Sequence, residues 1–190
     1  MRRWTFDILM AAGGLFLAVT LIFAGGLLTW AHSFIGNEVH TQLAAQQIFF
    51  PPANSKAVAA PEFAAMRQYG GQQLTTGAQA EVYADHFIAN HLKEIGGGKT
   101  YAQLSAASLA QPNNTKLAGQ VGTVFKGEAL RSMLLNAFGW WKVSQITYIA
   151  SLIAFALGGL TLLASLFGLT VGRRPEIVHE IIDGTPVTHV

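Results

Sequence analysis

Two runs of thirty residues, 8–37 and 143–172, contain no Asp, Glu, Lys or Arg. About 20 apolar residues rising about 1.5 Å each cross a hydrocarbon core about 30 Å thick, and a backbone in lipid must satisfy its own polar groups as a helix. Both runs are long enough, which predicts transmembrane helices at 8–31 and 143–171. Only 12% of the chain is charged, against about a quarter in soluble domains, so an ordinary globular enzyme is excluded. There is no cysteine, and a disulfide-stapled secreted mini-protein is excluded with it.

Aromatic residues flank both runs: Trp4 and Phe6, then Trp30, His32 and Phe34, around the first, and Trp140, Trp141 and Tyr148 at the start of the second. Such residues favour the headgroup layers. Arg2 and Arg3 precede the first run, no Lys or Arg follows it until Lys56, and Arg173 and Arg174 follow the second. The positive-inside bias therefore predicts cytoplasmic termini (1–7 and 172–190) in the plasma membrane and an extracytoplasmic segment, 32–142. Lys126, Arg131 and Lys142 oppose it, but loops beyond about 60 residues are translocated largely regardless of charge. A cleaved secretory signal competes for the first run, with Ala31 and Ser33 as a small-x-small site. Its apolar stretch exceeds the typical signal core of about 7–15 residues, which favours an anchor.

The segment 32–142 carries eight Lys or Arg and six Asp or Glu, all dispersed. A near-neutral balance without clustering gives no case for a nucleic-acid partner. Its local signals are helical. Residues 37–50 continue the first helix until Pro51 and Pro52 stop it, and 53–60 read as a loop. Pro61 opens a short helix bearing Phe63, Met66 and Tyr69 that Gly70 and Gly71 end. Thr76 with Gln79 and Thr100 with Gln103 form capping boxes for two further helices, the first stopped by Gly96–Gly98 and the second by Pro112. Asn113 or Asn114 caps a last helix that, with no proline before Pro175, runs on into the second span, with glycines 119, 122, 127 and 139 as points of flexure. The expected class is an all-α membrane protein: two transmembrane helices with a small helical extracytoplasmic domain between them.

Gly96-Gly97-Gly98-Lys99-Thr100 invites a phosphate-loop reading and fails on spacing. The motif needs a glycine at position 93, where Lys93 stands, and a strand leading in, where a helix is expected. His86 and His91, with Asp85, Glu81 and Glu94 nearby, suggest a metal. On a helix, however, the two histidines diverge by about 140°, whereas a shared zinc ion needs an i, i+4 pair. Asn113-Asn114-Thr115 matches an N-glycosylation acceptor. Neither span holds an Asp, Glu, Lys or Arg at bilayer depth, which disfavours a proton relay or charged-substrate carrier built by one chain.

The most informative pattern is a line of small residues in the second span: Thr147, Ser151, Ala154, Gly158, Thr161, Ser165, Gly168 and Gly172, spaced alternately by four and three. Ala11, Gly14, Ala18 and Gly25 offer similar spacing in the first span. Apolar burial gains little between helices in lipid, so association depends on close backbone approach, which small residues permit. The line predicts a helix-packing face, turned to the other span in the simpler case and to another subunit in the alternative. The tail, 173–190, offers a hairpin turn at Asp183-Gly184 or a short amphipathic helix at 176–182.

The stretch Tyr83-Ala84-Asp85-His86-Phe87-Ile88-Ala89-Asn90-His91-Leu92, the stretch Gly98–Ser105 and the stretch Gly127–Ala137 resemble a group of actinobacterial membrane proteins, the similarity extending over nearly the whole chain. Members often carry an aromatic ring-opening dioxygenase name. A non-haem iron site of that class needs two His and a carboxylate in a facial triad, and the sequence offers no convincing set. The resemblance thus implies a plasma-membrane protein and supplies no reaction. The reading is a non-enzymatic membrane protein without a cofactor, partnered by the bilayer and by another membrane protein or itself, as an accessory subunit or homo-oligomer. Glu128, Arg131, Asn136, Trp140 and Trp141 are the candidate juxtamembrane contacts. An oligomeric pore and a membrane-tethered metal-dependent oxygenase are the alternatives.

Overall fold

The computed structural model describes residues 3–171, with side chains from 6 to 170. Arg2, the Trp4 side chain, Gly172, Arg173, Arg174 and the two readings of the tail lie outside the described residues. Within them the chain is all-helical, with no strand and one isolated antiparallel bridge, Phe49 to Gln73. The helices are α1 (Arg3–Ala45), α2 (Gly77–Val82), α3 (Ala89–Ile95), α4 (Tyr101–Ala110) and α5 (Thr115–Val171). A 3₁₀ turn, Lys56–Val58, and a 3₁₀ helix, Pro61–Tyr69, follow α1, and a π-helical segment, Tyr83–Ile88, joins α2 to α3. α1 and α5 are each long and apolar enough to cross a membrane. The chain divides into two compact units, one formed by Met1–Leu28 with Ile149–Val190 and one by Thr29–Tyr148.

In the unit Thr29–Tyr148, a hydrophobic core gathers Val39 and Leu43 of α1, Phe50, Val58, Phe63, Met66, Leu74, Ala80, Ala84, Ile88, Leu92 and Leu134 of α5. α1 stops at Ala45, short of Pro51, because Phe50 is drawn into that core. The Phe50 N–H donates to Gln72 O at 2.9 Å and the Leu74 N–H to Ile48 O at 2.8 Å, a paired extended geometry that a continuing helix forbids. Gln46 and Gln47 close the last turn on Leu43 O and Ala44 O, both at 3.1 Å, with Gln47 at a φ of 52°.

The segment Pro61–Tyr69 is 3₁₀ rather than α, and its sequence explains why. Phe63, Met66 and Tyr69 recur every three residues, the one period that lines a single face of a helix with three residues per turn. Arg67 secures the preceding turn, its Nη1 donating to Val58 O at 2.8 Å. Both capping boxes are formed. At the first, Gln79 is buried, and its Oε1 accepts from the N–H groups of Thr75 (2.8 Å) and Thr76 (3.0 Å) while its Nε2 donates to Gln72 Oε1 (3.1 Å). One side chain thereby ties the helix start to the returning chain. Asn114 caps α5 through its Oδ1, which accepts from the Leu117 N–H at 3.1 Å.

The π segment places Tyr83, Phe87 and His91 in succession, with ring centroids 4.8 and 4.3 Å apart. Phe50 meets Tyr83 edge-on at 5.4 Å, and Phe63 lies 5.6 Å from His91. Burial pushes the Tyr83 phenol above its ordinary value of 10.0, because desolvation disfavours the phenolate. The unfolded chain therefore ionises first. Stability is expected to be level below pH about 10 and to fall as pH rises from there through the folded value. Tyr83→Phe should flatten this alkaline limb, as pH-dependent thermal unfolding in detergent would record.

Two glycines let helices meet closely in this unit. A Cβ on Gly77 would overlap the Trp141 side chain, and one on Gly127 would overlap Leu92. Overpacking of this kind costs about 1–3 kcal/mol, so Gly77→Val should lower the melting temperature clearly. Gly122 has nothing within 4 Å of an added Cβ, and Gly122→Ala should stabilise by about 0.5–1 kcal/mol, the usual helix-interior gain. Parallel melts of the two variants test the packing.

Candidate functional site: a helix seam and an open groove

In the unit built from the two span segments, α1 and α5 pack on each other through small residues. Ser151, Ala154, Gly158 and Ser165 are buried on α5, and Ala11, Ala18 and Gly25 on α1, with Gly14 and Thr161 half-buried. A Cβ on Gly158 would lie 2.9 Å from Ile22 Cγ1 and 3.3 Å from Ala18 O, one on Gly25 would lie 3.0 Å from the Phe155 ring, and one on Gly14 would overlap Ser165 Oγ. The hydroxyls of Thr161 and Ser165 donate back to Leu157 O and Thr161 O, each at 2.8 Å. These two therefore contribute close packing rather than hydrogen bonds between helices. Gly168 is exposed. Beyond Ser165 the pair parts, leaving a space of about 700 Å³ lined by Phe6, Asp7, Met10 and Gly168 among others.

Thr147 falls in the other unit, half-buried beside a residue that the sequence pattern passed over. Ser144 is fully buried, and its Oγ donates to His32 O at 3.0 Å. His32 Nδ1 sits 2.8 Å from Ser144 O, so the two side chains fasten α1 to α5 reciprocally. Thr147 Oγ1 donates to the same carbonyl at 2.8 Å, and the His32 ring lies 4.9 Å from Tyr148. Continuing the four-and-three spacing one step back from Thr147 reaches Ser144, the signal by which it was legible.

The juxtamembrane candidates separate into three roles. Arg131 binds Asp85 of the π segment at 2.8 Å and Glu128 at 3.6 Å. All three are partly exposed, so this tie contributes about 0.2–1 kcal/mol. Trp141 packs against the core, and Lys142 Nζ stands 5.3 Å from its ring. Asn136 and Trp140 instead line a groove.

That groove, about 520 Å³, runs between Phe34–Gln46 of α1 and Leu130–Trp140 of α5. Ile35, Val39, Leu43, Leu134 and Ala137 form its base, and the exposed Phe34, Leu130, Met133 and Trp140 form its walls. Glu38, Gln42 and Gln46, four residues apart, form a polar rim along α1. Gln42 Nε2 donates to Glu38 Oε2 at 3.2 Å.

The remaining motifs resolve locally. Gly97 and Gly98 have φ of 58° and 78°, and their N–H groups close α3 on Glu94 O and Lys93 O at 3.1 and 2.8 Å. This is a glycine helix stop, whose left-handed backbone favours glycine. His86 Nδ1 contacts Glu62 O at 3.1 Å and His91 Nδ1 contacts Phe87 O at 2.7 Å. No group of three metal-ligating side chains occurs among the described residues. Asn113 is exposed in the turn before α5.

No protein-family profile, curated protein or solved structure matches the chain.

Gly158 and its neighbour Gly159 discriminate the seam. Gly159 has nothing within 4 Å of an added Cβ. Gly158→Val should destabilise the detergent-purified protein by about 1–3 kcal/mol through overpacking, and Gly159→Val by much less. Equal losses in thermal unfolding would show that this face does not carry the contact.

Proposed function

We propose that the chain is a non-enzymatic integral plasma-membrane protein that crosses the bilayer twice and holds the segment 32–142 outside as an interaction module. Its working form is an accessory subunit of a membrane complex or a homo-oligomer, of the actinobacterial kind it resembles. The observation that carries this reading is the exposure of the large apolar side chains that the α1–α5 contact leaves outward. Phe16 is 75% exposed, Phe23 67%, Leu160 65% and Phe167 69%, and only 17% of the most apolar window of each helix is buried. Burying one such side chain is worth about 1.5–3 kcal/mol, and soluble monomers rarely leave contiguous apolar patches above a few hundred Å². A hydrocarbon solvent accounts for the whole belt at once.

Retention of the first span is supported by its packing, since Ala11, Ala18 and Gly25 are buried by it. Cleavage near Ala31 would also fall inside an unbroken helix. The non-enzymatic reading rests on the engagement of His86 and His91 with backbone carbonyls and on the placing of Arg131 in a structural ion pair.

The chain has no cysteine, so single introduced thiols report topology cleanly. Asn113→Cys should react with a membrane-impermeant maleimide in intact cells, and Thr185→Cys only after permeabilisation. Shielding of position 113 in intact cells, or a mature product beginning near residue 34, would overturn the topology. Affinity purification in mild detergent should return either a stoichiometric membrane-protein companion or a defined oligomer, and a bare monomer would remove the interaction role.

A further inference from the structure

The groove between α1 and α5 in the unit Thr29–Tyr148 has a composition that the interaction role does not explain. Its walls are apolar and exposed, Met133 at 69% and Trp140 at 54%, yet one rim carries a carboxylate and two amides in register. We propose that this groove takes the hydrocarbon chain of one membrane lipid, drawn partly out of the outer leaflet, whose headgroup offers N–H or O–H donors to Glu38. The inference rests on the membrane topology proposed above.

Three observations favour a lipid over a polypeptide. The volume, about 520 Å³, lies within the range of about 300–1,000 Å³ usual for small-molecule sites. A helix about 10 Å across, laid along the about 18 Å that the twelve-residue rise from Phe34 to Gln46 spans, would need about 1,400 Å³. An extended peptide fares no better, because both walls are α-helix interiors whose backbone groups bond within the helix and offer no edge to pair with. A hydrocarbon chain asks for neither width nor backbone partners.

The chemistry of the rim selects the headgroup. Glu38 accepts from Gln42 and makes no ion pair among the described residues, so its charge is complementary to an ammonium or to hydroxyl donors. The position along the chain supplies the source. Phe34 and Trp140 stand three residues beyond the predicted spans 8–31 and 143–171, where aromatic side chains mark the interface.

The test uses the full chain reconstituted in phosphatidylcholine liposomes doped with phosphatidylethanolamine that bears a photoactivatable acyl chain, with adducts mapped by mass spectrometry. Adducts are expected on residues 34–46 and 130–140 as well as on the spans. The same chain on a phosphatidylcholine probe, which lacks N–H donors, should label the groove about tenfold less, the weight of one charge-assisted hydrogen bond, and Glu38→Lys should abolish that preference. Ala137→Phe, which fills the base, and Met133→Trp, an exposed change that spares the core, should each deplete groove adducts and leave span adducts intact. Span adducts without groove adducts would overturn the lipid site and leave the membrane reading standing, and no adducts on either would overturn both. Equal labelling by the two probes would overturn the headgroup assignment. If Ala137→Phe converts an oligomer to monomer without lowering groove adducts, the occupant is a second copy and the proposal fails.

Discussion

Close approach of two long helices at Gly158 is the constraint on which the first unit depends. There a backbone face of α5 meets Ala18 and Ile22 of α1 with no room for a side chain. Dispersion between individual atoms is weak, about 0.1–0.2 kcal/mol per pair, and accumulates only when many atoms reach optimal separation together. Small side chains on both helices make that possible along the row Ser151, Gly158 and Ser165, spaced by seven. A seven-residue period on an α-helix keeps one stripe facing its neighbour, and this row is the stripe. Ala154 and Thr161 lie beside it, which is why Gly168, the next in their row, emerges once the helices part beyond Ser165.

The second unit is organised by different means. Its core forms because the chain leaves α1 at Ala45, turns through the left-handed Gln47 and sends Phe50 and Leu74 inward as a bonded pair of extended segments. Gln79 then anchors the start of α2 to that pair, and the π segment aligns Tyr83 and Phe87 against Phe50 and Phe63. Burying one polar amide is tolerable because its oxygen and one N–H are bonded, whereas an unbonded one would carry the desolvation penalty of the group.

Much of this was legible in the sequence, and the limits have physical causes. The spans are visible because a missing charge over thirty residues is a property of composition, and the Thr76–Gln79 and Thr100–Gln103 boxes because capping is local chemistry between residues three apart. The end of α1 was not legible: nothing near Ala45 breaks a helix, and the stop is set by a tertiary demand on Phe50. The π segment likewise leaves no local mark in Tyr83–Ile88, whose residues suit an α-helix equally well. For Pro61–Tyr69, the three-residue recurrence of Phe63, Met66 and Tyr69 was present but reads as helix of either kind until packing chooses. Among the site residues, the small-residue line was readable as a period, while the groove was not, since it needs two helix faces more than eighty residues apart in sequence to be set side by side.

The helix contacts also carry information about solvent that surface hydropathy does not. Along α1 the buried residues pass from Ala11, Ala18 and Gly25 to Val39 and Leu43, and along α5 from Leu134 to Ser151, Ala154 and Gly158. In water, large apolar side chains are the stronger glue, at about 25 cal/mol for each Å² removed from solvent. In hydrocarbon that gain vanishes, since lipid tails solvate leucine as well as leucine does, and close backbone contact is what remains. A change from large to small contact residues at corresponding positions of both helices is therefore what a pair of helices leaving water for lipid requires. It argues for the bilayer from the inside of the contact, independently of the apolar belt on its outside.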